Sequence, residues 1–182
     1  TAATFTIRKS GSTIPESCRR EMKTDRYFLA LVLPEPLQSL VTAFKEECRS
    51  KYNSGAALRS PAHITLHMPF DWRTDREEQL IGNLHSLKSL KEIPVQLNGF
   101  DCFAPRVIFI AADHSDSLHS LQREVRTFCR QQLGLLNANY RELPFHPHVT
   151  IAFRDLNKAR FELAWQAFSA RPFAAGFTAS AI

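Results

Sequence analysis

Two segments of this chain repeat one pattern. Pro61-Ala62-His63-Ile64-Thr65-Leu66-His67-Met68-Pro69-Phe70 and Pro147-His148-Val149-Thr150-Ile151-Ala152-Phe153 each run histidine, β-branched aliphatic, threonine, aliphatic. Such alternation belongs to a strand, where residues i and i+2 share a face. Each segment therefore sets one imidazole and one hydroxyl on the same side. The sequence leading into each segment repeats as well, so the fold has to place two equivalent units around one shared centre.

The first unit opens with the apolar run Tyr27–Leu33, a buried strand ended by Pro34 and Pro36. Leu37, Leu40, Val41, Phe44 and Cys48 then recur at helical spacing, and a polar loop, Ser50–Ser60, leads to Pro61. The second unit opens with a strand over Arg106–Ala112, then cap-type residues in Asp113–Ser117, then Leu118, Leu121, Val125, Cys129 and Leu133 at helical spacing. A shift of 81 lays Leu37 on Leu118, Ser39 on Ser120, Leu40 on Leu121, Cys48 on Cys129 and Arg49 on Arg130. The histidines are offset by 85, so the second loop is four residues longer. Each unit then continues into a helix and a strand: Thr74–Leu90 and Ile93–Phe103 in the first, 157–168 and Phe173–Ile182 in the second. The expected fold is α+β: a bilobal, pseudo-two-fold duplication of β-α-β-α-β units. Two mostly antiparallel sheets flank a central cleft, with helices outside. Residues 1–24 are mostly polar and read as a flexible leader, and 25–182 as a single bilobal domain with one motif per lobe. The second unit stops before the first does, so its last strand is expected to be short or incomplete.

The net charge of +5 and pI near 9.2 suit an anionic ligand better than a DNA-coating protein. The cysteines at 18, 48, 102 and 129 form no Cys-x-x-Cys pair and no zinc spacing. Cys48 and Cys129 stand at apolar helix positions and read as buried thiols in a reducing cytoplasm. No apolar run is long enough to span a bilayer, so a membrane partner is not expected, and the chain reads as a monomer.

Free imidazole titrates near ~6.5, so at neutral pH one histidine of a pair can be neutral and the other protonated. That is the starting state for opening a phosphodiester by paired proton transfer. One histidine takes a proton from the attacking oxygen and the other gives one to the departing sugar oxygen. The two threonine hydroxyls can donate to the non-bridging phosphoryl oxygens. The candidates are His63 and His148 as the acid–base pair, and Thr65 and Thr150 as phosphate ligands. Which histidine is the base stays open in so symmetric a pattern. No metal or other cofactor is required.

The duplicated pair His63-Ile64-Thr65-Leu66 and His148-Val149-Thr150-Ile151 resembles the 2H phosphoesterase superfamily. Within it, the chain is most similar to the 2′-5′ RNA ligase-like (LigT-type) cyclic phosphodiesterases, over roughly Tyr27 to the C-terminus. The resemblance implies a bilobal fold and metal-independent hydrolysis of 2′,3′-cyclic phosphates to 2′-phosphates. Its ligand is then a nucleotide or RNA end bearing such a phosphate. In some members it also implies 2′-5′ joining of RNA ends. Phe70 and Arg154 stand two residues and one residue away from the places where such members often carry Phe and Arg, and Arg154 is the candidate basic partner of the phosphate.

Further residues are candidates for lining the pocket. By strand alternation His67 shares a face with His63 and Thr65, and His146 with His148. Tyr140 and Arg141, in the longer loop, have the chemistry to stack on a base and pair with a phosphate. His85, His114 and His119 read as surface residues. Two alternatives remain: a non-catalytic nucleotide- or RNA-binding module using the same cleft, and a phosphodiesterase for another cyclic phosphate such as ADP-ribose 1″,2″-cyclic phosphate. Four histidines in one cleft would instead suit a transition metal.

Overall fold

Each half folds in the same element order. The computed structural model describes residues 23–85, 87, 92–136 and 144–179. The first half is β1 (Thr24–Val32), α1 (Leu37–Tyr52), β2 (His63–Arg73), α2 (Glu77–His85) and β3 (Ile93–Phe103). The second is β4 (Val107–Ala112), α3 (Asp116–Gln132), β5 (His148–Ala152), α4 (Lys158–Ser169) and β6 (Ala174–Ala179). The leader expected over residues 1–24 falls outside the described residues up to 22, and β1 already begins at Thr24. The end of the last expected strand, residues 180–182, also lies outside them.

Local chemistry sets the helix ends. Ser115 caps α3, its side chain accepting from Leu118 N at 3.3 Å, and Asn157 caps α4, accepting from Arg160 N at 3.0 Å. At the far end of α1, Asn53 takes the left-handed conformation (φ 54°), and Ser54 N and Asn53 N donate back to the carbonyls of Cys48 and Arg49. The helix expected from Thr74 begins as a single 3-10 turn over Thr74–Arg76, and α2 proper starts at Glu77.

The strands pair antiparallel in the order β1-β2-β5-β4-β3-β6. The two sheets expected, one per lobe, are thus joined edge to edge through one bridging pair, Ile64 with Val149. Both residues are fully buried on the helix-covered face, so an open edge there would leave backbone polar groups without partners in the core. β3 also leaves its own half and inserts between β4 and β6.

The helices cross over between halves. α1 packs on β5 and α4, whereas α3 packs on β2. Each half thereby covers apolar strand residues of the other. Tyr27, Leu29, Leu31, Ile64, Leu66, Ile108, Ile110, Val149 and Ile151 form one core with Val41 and Cys48 of α1 and Leu118, Leu121, Val125 and Cys129 of α3. Cys48 and Cys129 are both fully buried, and burial pushes each thiol up to about 12. Leu40, expected inward, is 44% exposed, because the buried stripe of α1 runs through Val41, Lys45 and Cys48. Arg171 fastens α1 to the chain after α4: its fork donates to both carboxylate oxygens of Glu47 (2.8 and 3.0 Å) and lies over the Phe168 ring. That pairing, helped by Lys51, holds the Glu47 carboxyl down to about 2 despite partial burial. No helix among the described residues is long and apolar enough to cross a membrane.

Candidate active site

The bridging pair organises the site. Because Ile64 faces Val149 in antiparallel register, His63 falls opposite Thr150, and Thr65 opposite His148. All four lie on the sheet face turned away from the core. Neighbouring strands agree: Ala30 is paired with Thr65, Val32 with His63, Phe109 with Thr150 and Ala111 with His148. Ala30 and Phe109 are buried yet stand outside the core cluster, as residues of the other face should. Directly opposed side chains start about 5 Å apart at Cβ and diagonal ones about 7–8 Å. The two imidazoles therefore hold one diagonal of a small quadrilateral and the two hydroxyls the other, a span wide enough to bracket a tetrahedral anion.

Both imidazoles are oriented alike. His63 Nδ1 lies 2.7 Å from Pro61 O, and His148 Nδ1 lies 2.7 Å from His146 O. A carbonyl only accepts, so Nδ1 carries the hydrogen in each ring, and Nε2 is the nitrogen that takes or gives a proton. An aromatic ring packs against each: Phe28 on His63 (5.0 Å between centroids) and Phe109 on His148 (4.8 Å). The shift of 81 maps Phe28 onto Phe109. The environments still differ. Phe109 is fully buried, Phe103 and His146 crowd the same side, and burial lowers the His148 pKa, its hydrogen bond to His146 O opposing.

The peptide leading into each histidine is fastened. On the first side, Gln38 of α1 accepts from Ala62 N and donates to Ala62 O and Leu33 O, and the buried Lys45 donates to Ser60 O at 3.0 Å. On the second, Ala112 N donates to Pro147 O, as Leu33 N does to Ala62 O. Asp155 ties the two motifs together. Its carboxylate accepts from Ser54 Oγ (2.8 Å) and from the N–H groups of Gly55 and Ala56 (2.9 Å each), fixing the 3-10 turn Ala56–Arg59 ahead of β2.

Several expected pocket residues lie elsewhere. The pairing of β2 with β1 slips between Tyr27 and Ala30: Thr65 faces Ala30, but His67 faces Leu29 and Phe70 faces Tyr27. This bulge breaks the alternation, so His67 and Phe70 point to the core face, 6% and 4% exposed, with their rings 5.7 Å apart. Burial accordingly lowers the His67 pKa. The cleft of four histidines is thus not assembled, and among the described residues no group of three or more His, Cys, Asp or Glu is arranged to hold a metal ion. Arg154 is exposed, with its guanidinium over the Phe153 ring at 5.1 Å. Its left-handed backbone (φ 61°) turns the chain just before Asp155, and no contact among the described residues brings its side chain to the four motif residues. Tyr140 and Arg141 lie outside the described residues. Trp72 packs on Phe70 and donates to Arg76 O, and Arg73 pairs with Asp75.

His146 does lie beside His148, 6.2 Å between ring centroids, and its buried Nδ1 has no hydrogen-bond partner among the described residues. His114 stacks edge-on to His146 at 5.0 Å, and its Nδ1 lies 3.1 Å from His119 Nε2. These two, read as surface residues, extend the rim of the site from the start of α3. Sequence reasoning also missed Phe28, Phe109 and Phe103. The repeat itself carried a signal for the first two, through the same shift of 81.

The family model of the 2′-5′ RNA ligase superfamily matches residues 33–182. Proteins of Bacillus thuringiensis (strain Al Hakam) and Bacillus anthracis (strain A0248), both named "Putative phosphoesterase", are 30% identical over 107 residues. These matches span 57% of this chain and 57% of the length of each relative. A crystal structure of TT0787 of Thermus thermophilus shares the fold, with a TM-score of 0.61 at 20% identity, covering 85% of this chain and 84% of that one.

Proposed function

The chain belongs to the 2′-5′ RNA ligase superfamily, and from that premise we propose that it is a phosphoesterase that opens the 2′,3′-cyclic phosphate of a nucleotide or RNA end by two-histidine acid–base catalysis. The observation that carries the reading is the pair of diagonals across Ile64 and Val149, with both Nδ1 atoms committed to carbonyls.

The cyclic phosphate sits between the imidazoles, its non-bridging oxygens toward the Thr65 and Thr150 hydroxyls. Burial favours the neutral form of His148, which suits it to the role of base. His148 Nε2 takes a proton from water as the water oxygen bonds to phosphorus. His63, protonated, gives its Nε2 proton to the departing 3′ oxygen as the P–O3′ bond breaks. The products are a 2′-phosphomonoester and a 3′-hydroxyl, and the two histidines have exchanged protonation states, which solvent then resets. Hydroxyl donors poised on the non-bridging oxygens stabilise the charge that builds there. No step calls on a metal.

The test is a panel in the presence of chelator: 2′,3′-cyclic mononucleotides, an RNA end bearing the same group, and ADP-ribose 1″,2″-cyclic phosphate. Turnover of 2′,3′-cyclic phosphates is expected. Binding without turnover would favour a non-catalytic module, and preference for the ADP-ribose compound would move the substrate class. Joining of 2′-5′ RNA ends is the same attack on phosphorus, with the same P–O3′ cleavage, made by an RNA 5′-hydroxyl in place of water, and a 5′-hydroxyl RNA acceptor added to the panel scores it.

A further inference from the structure

We propose that Phe103 is the platform on which the substrate's nucleobase stacks, so that the base lies on the His148 side of the site. The inference deepens the phosphoesterase reading above and rests on it.

Phe103 is the last residue of β3. It is paired with Val107, two residues before Phe109, which places it on the sheet face that carries the four motif residues. Its ring is held from three sides: 4.5 Å from Phe109, 5.2 Å from His148 edge-on, and 5.4 Å from His146. Even so it is 43% exposed, whereas Phe109 beneath it is fully covered. A tight turn follows, with Arg106 N donating to Phe103 O at 3.3 Å, and the residues after the ring are Ala104 and Pro105. A large apolar ring left open to water costs free energy, and one already immobilised by packing loses little entropy when a flat partner covers it. Every base has a π-face, and stacking on a fixed aromatic ring is how single-stranded nucleic acids are commonly held.

The sheet order makes the two sides of the site unequal. Beyond His63 on β2 lies only β1 among the described strands, but beyond His148 on β5 lie β4, β3 and β6. The inner rings are equivalent, Phe28 for His63 and Phe109 for His148. Phe103 is an addition to one side. It gives the pair of proton-transfer groups a direction: base toward β3, cyclic phosphate between the imidazoles.

The experiment compares kcat and KM for a 2′,3′-cyclic nucleotide and for methyl riboside 2′,3′-cyclic phosphate, which lacks the base, in wild type, Phe103→Ala and Phe103→Trp. Wild type should prefer the base-bearing substrate in kcat/KM, chiefly through KM. Phe103→Ala should cut that preference about tenfold, and Phe103→Trp should restore it. An equal loss on both substrates in Phe103→Ala, or an unaltered preference, would overturn the platform while leaving the phosphoesterase reading intact. Turnover of neither substrate by wild type would remove that reading and the platform with it.

Discussion

His148→Ala and His63→Ala should each lower kcat for a 2′,3′-cyclic nucleotide by about 10²–10⁴-fold, with the fold retained. Each imidazole hangs from the solvent-facing side of the sheet, so truncation removes no member of the main core. What is lost is one of two proton transfers that act in a single step. The double variant should therefore be little worse than either single one, because with one transfer gone the other has less to assist. Near-normal kcat in either single variant would sink the acid–base pair. Circular dichroism and thermal melts separate this loss from unfolding. His67→Ala serves as the contrast: its ring is buried on the core face against Phe70, so its effect should appear in stability rather than in kcat.

Thr65→Val and Thr150→Val should each reduce kcat by about 10²–10³-fold with KM changed far less. Valine keeps the shape of threonine at a strand position and removes only the hydroxyl. The hydroxyls lie on the second diagonal, opposite the imidazoles across the seam, and in the proposed mechanism they face the non-bridging oxygens. Those oxygens gain charge as the attacking oxygen bonds to phosphorus, so the donors matter more in the transition state than in the bound substrate. Thr→Ser at either position should keep most of the rate. A change confined to KM would reassign the threonines to simple substrate binding.

That the four motif residues share one sheet face was legible in the sequence because their spacing follows the simplest periodicity a chain has. A period of two needs no tertiary information, and two copies of His-x-Thr in matching contexts gave both the face and the partners. The elements were legible as well, from periods of two and 3.6, and the limits expected for β3, Ile93 and Phe103, are the observed ones. What escaped was set by contacts between strands. The slip that turns His67 and Phe70 to the core depends on how β2 pairs with β1, and the tetrad of alternating residues before it holds no sign of it. The joining of the two sheets, the crossing of α1 and α3 between halves, and the insertion of β3 beside β6 are matters of edge pairing and coverage of apolar faces. Arg154 was singled out for its charge, but its place is governed by the left-handed turn that delivers Asp155 to Ser54, Gly55 and Ala56. Phe103 and His114 come to the site from β3 and from the loop before α3, distant in sequence from either motif.

The central claim is that two histidines, one neutral and one protonated, share the work. Its most direct test is the pH dependence of kcat/KM for a 2′,3′-cyclic nucleotide, measured in chelator. His148 must be neutral to act, and burial lowers its pKa, so the acid limb should fall below ~6.5. His63 must carry a proton, so activity should fall again on the alkaline side, giving a bell. A profile with no alkaline limb, or activity that the chelator abolishes, would contradict the account.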